Sequence, residues 1–470
     1  MFSALVCARM QSALRSAERM VDVFDRTATL NFTCVLRVRG PLSEVALNAA
    51  LRRLEQRHPL LRARIERHAG APVFVMNEAA PIPLHVLDGD RADWQRVAEQ
   101  SLEQRVWADE GPRAELTWLR HGAEHSTLLL ALHHVVSDGH SGFVALRDLL
   151  GLLAEPELLH SVSPQAGAPL APGAVSCAAW AARAAQWLAG FARAHKPQQL
   201  RKESAPRAPH SPRLGMITFD AEQTERMRER TRAARASLHG LVCAAFAKGY
   251  VQAGDWERAP LRVCHPVDLR RYLDCTKHSK TTRYADAVGC FVSSVETEHV
   301  VSADTSLPQL AQQITQSIRD KKQADGPLLT ASLAGVGSWL TRDASGKPEL
   351  ARLGDVVERY VMLDSFGVTS LGSVERIGLE PQVGLLSVED AFFVSGASVV
   401  TAITAATSIY AGKLTIGLQW VEPLVSTATA EHILACIEHE LATFAWSEAN
   451  TAYAAAEQPH VAHDRLQRAV

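Results

Sequence analysis

The sequence predicts an α/β (α+β) protein built in two halves, and three observations predict it. A chain of 470 residues exceeds what one ordinary core holds, so two units are expected. Strand-like and helical patterns follow one another along its whole length. The order of elements then begins again beyond Lys196 to Pro212, a stretch with four prolines among many charges, which is the composition of a linker.

Leu30 to Gly40 (L-N-F-T-C-V-L-R-V-R-G) alternates as a half-buried strand does and stops at a glycine. Ser43 then caps a helix whose apolar positions Val45, Leu47, Leu51 and Leu54 predict its buried face. Pro59 ends that helix near His58, because the residue before a proline avoids helical geometry, and L-L-R-A-R-I is expected as the next strand. A strand over Pro72–Met76, a helix over Arg91–Trp107, and strands from Glu115 and over Ser126–Leu132 follow. Ser141 to Ala154 has helical periodicity. Glu155 to Gly173 reads as a loop. Val175 to Ala194 reads as an amphipathic helix whose Trp180 and Trp187 mark a buried face, since nothing nearby supplies a second membrane anchor.

Beyond the linker, a strand ending at Phe219 leads into helices over Ala221–Arg235 and Ser237–Ala253. Further strands are expected over Leu261–Pro266, Val288–Thr297, Ser387–Val394 and Lys413–Trp420, with helices over Ser306–Lys322 and Thr427–Phe444. The remainder is a frayed tail. No sequence repeat links the halves; only the mix of elements is alike.

With 49 basic against 51 acidic residues the net charge is −2, and no Lys/Arg run is interleaved with aromatics, which excludes a nucleic-acid partner. The eight cysteines are scattered, with no C-x-x-C pair and no Cys/His spacing suited to zinc, so free thiols in a reducing cytoplasm and no metal are expected. No apolar run approaches the roughly 18 residues of a membrane span. The short apolar start lacks the preceding positive charges of a secretory leader.

Chemistry concentrates in A-L-H-H-V-V-S-D-G-H-S, Ala131 to Ser141, where a buried strand ends and a helix begins. Four readings stand side by side. His133 and His134 would be loop histidines satisfied by their neighbours. A metal site would need His134 and Asp138 on one helical face and a third ligand, which a strand followed by Asp-Gly does not provide. Activation of an internal Ser or Cys would call for a G-x-S-x-G elbow, absent from the sequence. Lastly, His134 would be the base for an external nucleophile, since imidazole is neutral near pH 7, takes a proton from a hydroxyl or amine, and returns one to a leaving group. Asp138 then needs a cation, because a buried carboxylate is costly unless paired.

H-H-V-V-S-D-G resembles the HHxxxDG motif of the chloramphenicol-acetyltransferase-like superfamily, which includes condensation domains and acyltransferases. Other segments match in order: R-H-P-L-L-R-A-R-I from Arg57, H-P-V-D-L-R ending at Arg270, V-G-C-F-V-S-S ending at Ser294, F-G-V-T-S-L-G ending at Gly372, and G-K-L-T-I-G-L-Q-W from Gly412. The nearest type by this resemblance is the condensation-domain-like, polyketide-associated (phthiocerol dimycocerosyl transferase-like) acyltransferase, although Ser370 stands where an Asn is usual. The D-F-G-W-G motif of the plant enzymes is absent.

The resemblance implies two acetyltransferase-like subdomains, each a mixed sheet flanked by helices, set as a V around a central tunnel. Their expected bounds are 1–195 and 213–446, with the linker at 196–212 and the tail at 447–470. It implies transfer of an acyl group from coenzyme A or from a phosphopantetheinyl carrier protein to an alcohol or amine, with His134 as base and no permanently bound cofactor. His133, Asp138 and Gly139 would be structural, Asp138 pairing with Arg270. Thr369, Ser370 and Gly372 are candidates for oxyanion or substrate contact. Arg52, Arg53, Arg57, Arg62 and Arg64 would form either a carrier-protein face or a solvated charged surface. A monomer is expected, because two fused halves already complete the site. An amide-forming condensation domain and a non-catalytic recruitment module are the alternatives.

Overall fold

The computed structural model describes residues 11–14, 18, 19, 21, 22, 30–66, 72–76, 81–103, 111–157, 185, 197–200, 211–273, 284–323, 327, 364–397 and 401–447. The first part of the chain forms β1 (Gln11–Ala13), β2 (Asn31–Arg39), α1 (Glu44–Arg57), β3 (Arg64–Glu66), β4 (Val73–Val75), β5 (Leu84–Asp88), α2 (Trp94–Glu103), β6 (Ala114–Arg120), β7 (His125–His133) and α3 (Gly139–Ala154). Then come β8 (Ser211–Phe219), α4 (Ala221–Ala233), α5 (Leu238–Ala253), β9 (Arg258–Asp268), α6 (Arg270–Leu273), β10 (Val292–Ser302) and α7 (Leu307–Gln323). The last elements are β11 (Phe366–Ser373), β12 (Gln382–Val383), β13 (Leu386–Ser395), β14 (Ile403–Tyr410), β15 (Lys413–Glu422) and α8 (Thr427–Trp446).

Two six-stranded mixed sheets result, with helices packed on them. In the first, ordered β12-β13-β2-β7-β6-β5, only β5 and β6 run parallel. In the second, ordered β10-β9-β11-β14-β15-β8, β11 is parallel to both neighbours. Each has its own core: α1 and α3 bury Leu47, Leu51, Phe143 and Leu146 on the first sheet, whereas α5, α7 and α8 bury Phe246, Ile314 and Ile433 on the second. The small third sheet, β1-β4-β3, flanks the first half.

The division between halves is not contiguous. β12 and β13 follow β11 in the chain yet complete the first sheet, β13 lying antiparallel to β2 with Phe393 opposite Cys34. The expected C-terminal unit thus lends residues 382–395 to its neighbour. β14 returns to the second sheet, while its Tyr410 side chain packs in the first core and donates from Oη to Val388 O at 3.2 Å.

Two local expectations are corrected. Val45 is 82 % exposed, because the buried stripe of α1 runs through Leu47, Ala50, Leu51 and Leu54, and two residues of helix turn Val45 about 200° away from Leu47. L-L-R-A-R-I is not one strand: Pro59 presets a 3₁₀ turn over Pro59–Arg62, closed by Leu61 N–H to His58 O and Ala63 N–H to Leu60 O, and β3 begins only at Arg64. As for the arginine group, Arg52 and Arg62 face Glu55, Arg57 faces Asp148, Arg64 faces Glu66 and Arg53 meets Glu157. Each of the five thus has one of the chain's own carboxylates beside it.

The expected helix over Val175–Ala194 (save residue 185) with its Trp180 and Trp187, most of the Lys196–Pro212 linker and the tail beyond residue 447 lie outside the described residues. Among the described residues no helix is long and apolar enough to cross a membrane.

Candidate active site

β7 delivers the histidine pair. Its run from Thr127 to Leu132 is buried throughout between β2 and β6, so the chain can leave the sheet only at its end. Asp138 starts the next element, its Oδ1 accepting the Ser141 N–H at 2.9 Å as the cap of α3. Between them, His133 is 2 % exposed and braces the turn, its Nδ1 accepting the Val135 N–H at 3.0 Å.

His134 is turned the other way. Its N–H donates to Leu30 O at 3.0 Å, and its ring lies against Phe32 with centroids 4.7 Å apart. Nδ1 is shut off from solvent, with no hydrogen-bond partner among the described residues. The accessible part of the ring borders a cavity of about 390 Å³. Burial, and after it the charge of His133, push the imidazole down to about 4, against a smaller upward pull from Asp138. The ring is therefore neutral at pH 7.

Asp138 is 5 % exposed and tied on every side. Arg270 from the second half reaches it through two nitrogens, Nη1 to Oδ2 at 2.9 Å and Nη2 to Oδ1 at 3.2 Å. The Phe291 N–H adds a bond to Oδ2 at 2.8 Å. Although burial alone would raise this carboxyl, the Arg270 charge and hydrogen bonds bring it down to about 2. Arg270 also donates to Ser141 Oγ at 2.7 Å and lies over the Phe291 ring, 4.4 Å from its centroid. The ion pair joins the two halves beside the cavity.

Both halves line that cavity: Phe32, His134 and Gly139 from the first, Pro266, Phe291, Ser294, Thr369 and Ser370 from the second. Ser370 is exposed and Thr369 half-buried. A bulge between Ser370 and Gly372 interrupts the pairing of β11 with β14. Gly372, at φ 69°, is not among the lining residues, and its N–H points to Ser370 Oγ at 3.4 Å. Gly139 lets β11 come close, since a Cβ there would sit 3.2 Å from Leu371 Cδ2. Sequence reasoning passed over Cys264, Cys290, Ser395 and Thr404, which also line the cavity. For Cys264 a signal existed: alternation along β9 puts Cys264 and Pro266 on one face.

Fold and motif together define a chain of the chloramphenicol-acetyltransferase-like condensation fold. The condensation-domain family profile matches residues 19–329, and the chain belongs to that family. The bassianolide nonribosomal cyclodepsipeptide synthetase of Beauveria bassiana is 35 % identical over 121 residues, 25 % of this chain but only 4 % of the synthetase. Among solved structures, polyketide synthase associated protein 5 from Mycobacterium tuberculosis is similar with a TM-score of 0.61 at 18 % identity, covering 93 % of this chain and 99 % of that one. The TRI3 trichothecene 15-O-acetyltransferase from Fusarium sporotrichioides is similar with a TM-score of 0.70 at 12 % identity, covering 93 % and 96 %.

Proposed function

We propose that this protein is an acyltransferase that moves an acyl group from a thioester, on coenzyme A or on a phosphopantetheinyl carrier protein, to a hydroxyl or amine of a small acceptor. The observation that carries the reading is a neutral imidazole, His134, opening on a cavity that both halves line. In the reacting tautomer the proton is on Nδ1 and the Nε2 lone pair is left for the cavity. Nε2 takes the acceptor's proton as its oxygen or nitrogen attacks the thioester carbonyl. The tetrahedral intermediate then expels a thiolate, which recovers the proton from the imidazolium.

Asp138 does not relay charge in this scheme, because Arg270 neutralises it. Its work is to hold the turn. Ser370 and Thr369 supply the polar groups for the developing oxyanion, a side-chain hydroxyl or a main-chain N–H. Gly372 is left out of that role.

The test supplies purified protein with acyl thioesters of both carriers and a panel of alcohols and amines, and follows the product by mass spectrometry. Thioester-dependent acyl transfer that falls by about 10²–10⁴ in His134→Ala supports the reading. No transfer to any acceptor, with the protein folded, would favour a recruitment module. The condensation-domain profile and a match to a nonribosomal peptide synthetase support amide formation as the second reading, and transfer to amines alone would select it.

A further inference from the structure

On the far side of β9 from the cavity lies a cluster that acyl transfer does not use. Cys264 and Pro266 face the cavity, so alternation turns His265 toward α5. There His265 Nδ1 is 3.0 Å from His239 Nε2, and Cys243 Sγ is 3.5 Å from His239 Nε2 and 3.8 Å from His265 Nδ1. His239 and Cys243 are one turn apart on α5 and share a face. Tetrahedral zinc, with bonds of about 2.0–2.1 Å to nitrogen and about 2.3 Å to sulfur, requires edges of roughly 3.3 Å between nitrogens and roughly 3.6 Å between nitrogen and sulfur. The observed triangle lies within a few tenths of an ångström of those edges.

The surroundings suit an ion as well. His265 Nε2 is 2.9 Å from Thr297 Oγ1 on β10, a hydroxyl also shared with His299 Nε2 at 2.9 Å; where that hydroxyl accepts from His265 Nε2, Nδ1 is free as a ligand. His239 Nδ1 is buried with no hydrogen-bond partner among the described residues. We propose that His239, Cys243 and His265 bind zinc or a similar borderline-soft divalent cation, with a fourth position open, clamping α5 to β9. Binding converts the Cys243 thiol to thiolate and releases its proton to solvent. Burial otherwise pushes that thiol well above its ordinary value, so the bare protein keeps it protonated. The opposing charge is Lys322, which acts on both rings. The spacing hid the site: His265 follows Cys243 by 22 positions, with no knuckle between them.

The experiment titrates the reduced, chelator-stripped full chain with cobalt(II). One equivalent should give a thiolate-to-cobalt charge-transfer band and the visible bands of a four-coordinate ion, displaced by zinc. Cys243→Ser should lose the charge-transfer band, His239→Gln should weaken binding at least about tenfold, and Lys322→Gln should tighten it. No such band in the parent, or the same band in folded Cys243→Ser, overturns the proposal and leaves a hydrogen-bonded histidine pair. Should Cys243→Ser fail to fold, an unchanged cobalt affinity in His239→Gln overturns it instead.

Discussion

At His134 the burial that keeps the imidazole neutral also makes its protonation costly, so the charge developing on the substrate must offset that cost during reaction. A histidine in water would lose activity below about pH 6.5. Here the basic form persists until about 4. The acid limb of kcat/KM is therefore expected well below pH 6; a limb centred near pH 6.5 would count against His134 as the titrating base. For Asp138 the expectation concerns folding. Replacing Arg270 by Met strands a buried carboxylate and should cost about 3–5 kcal/mol, read from urea unfolding. The need for a cation at Asp138 was legible from the buried-charge rule alone, and the resemblance pointed to Arg270. The Phe291 N–H was not legible, because main-chain donors leave no mark on side-chain identity.

At the scale of elements, the motif turn depends on how closely α3 packs on β2 and β7. A Cβ added at Gly142 would lie 2.4 Å from Cys34 Sγ and 3.1 Å from Leu132 Cδ1, both buried. Gly142→Ala should therefore lower stability by about 1–3 kcal/mol through overpacking and, by displacing the Asp138 cap, reduce turnover as well. Unchanged melting and turnover would show that the turn does not need this contact. An element with a single buried stripe, such as α1, was readable from its period; β2 was readable as a strand, but not as half-buried, for it lies between β13 and β7 and is buried at every position except Arg37 and Arg39. β14 was not: Ile403 to Tyr410 is buried at every position, so no alternation appears. β13 was readable as a strand, but its sheet was not, since Arg37 and Asp390 pair across 353 positions and local pattern carries no such address.

Over the whole molecule, one buried acid should set the alkaline side of stability. Asp364 Oδ1 is buried without a hydrogen bond among the described residues, and burial, with the Glu296 charge, raises its carboxyl to about 8. The folded state thus holds a proton that the unfolded state releases near its ordinary value. The group's contribution is fully present at pH values below about 4 and is lost as pH rises through about 8. Asp364→Asn should make the protein more stable at pH 8 by several kcal/mol and flatten this slope; an unaltered slope would exclude the assignment.

The loan of β12 and β13 to the first sheet bears on whether the two lobes can exist apart. A fragment stopped in the linker would present β2 as a naked central edge, its unpaired amides inviting intermolecular strand addition. Such a fragment should precipitate unless residues 374–397 are fused back to it, so the molecule is divisible in outline but inseparable in practice.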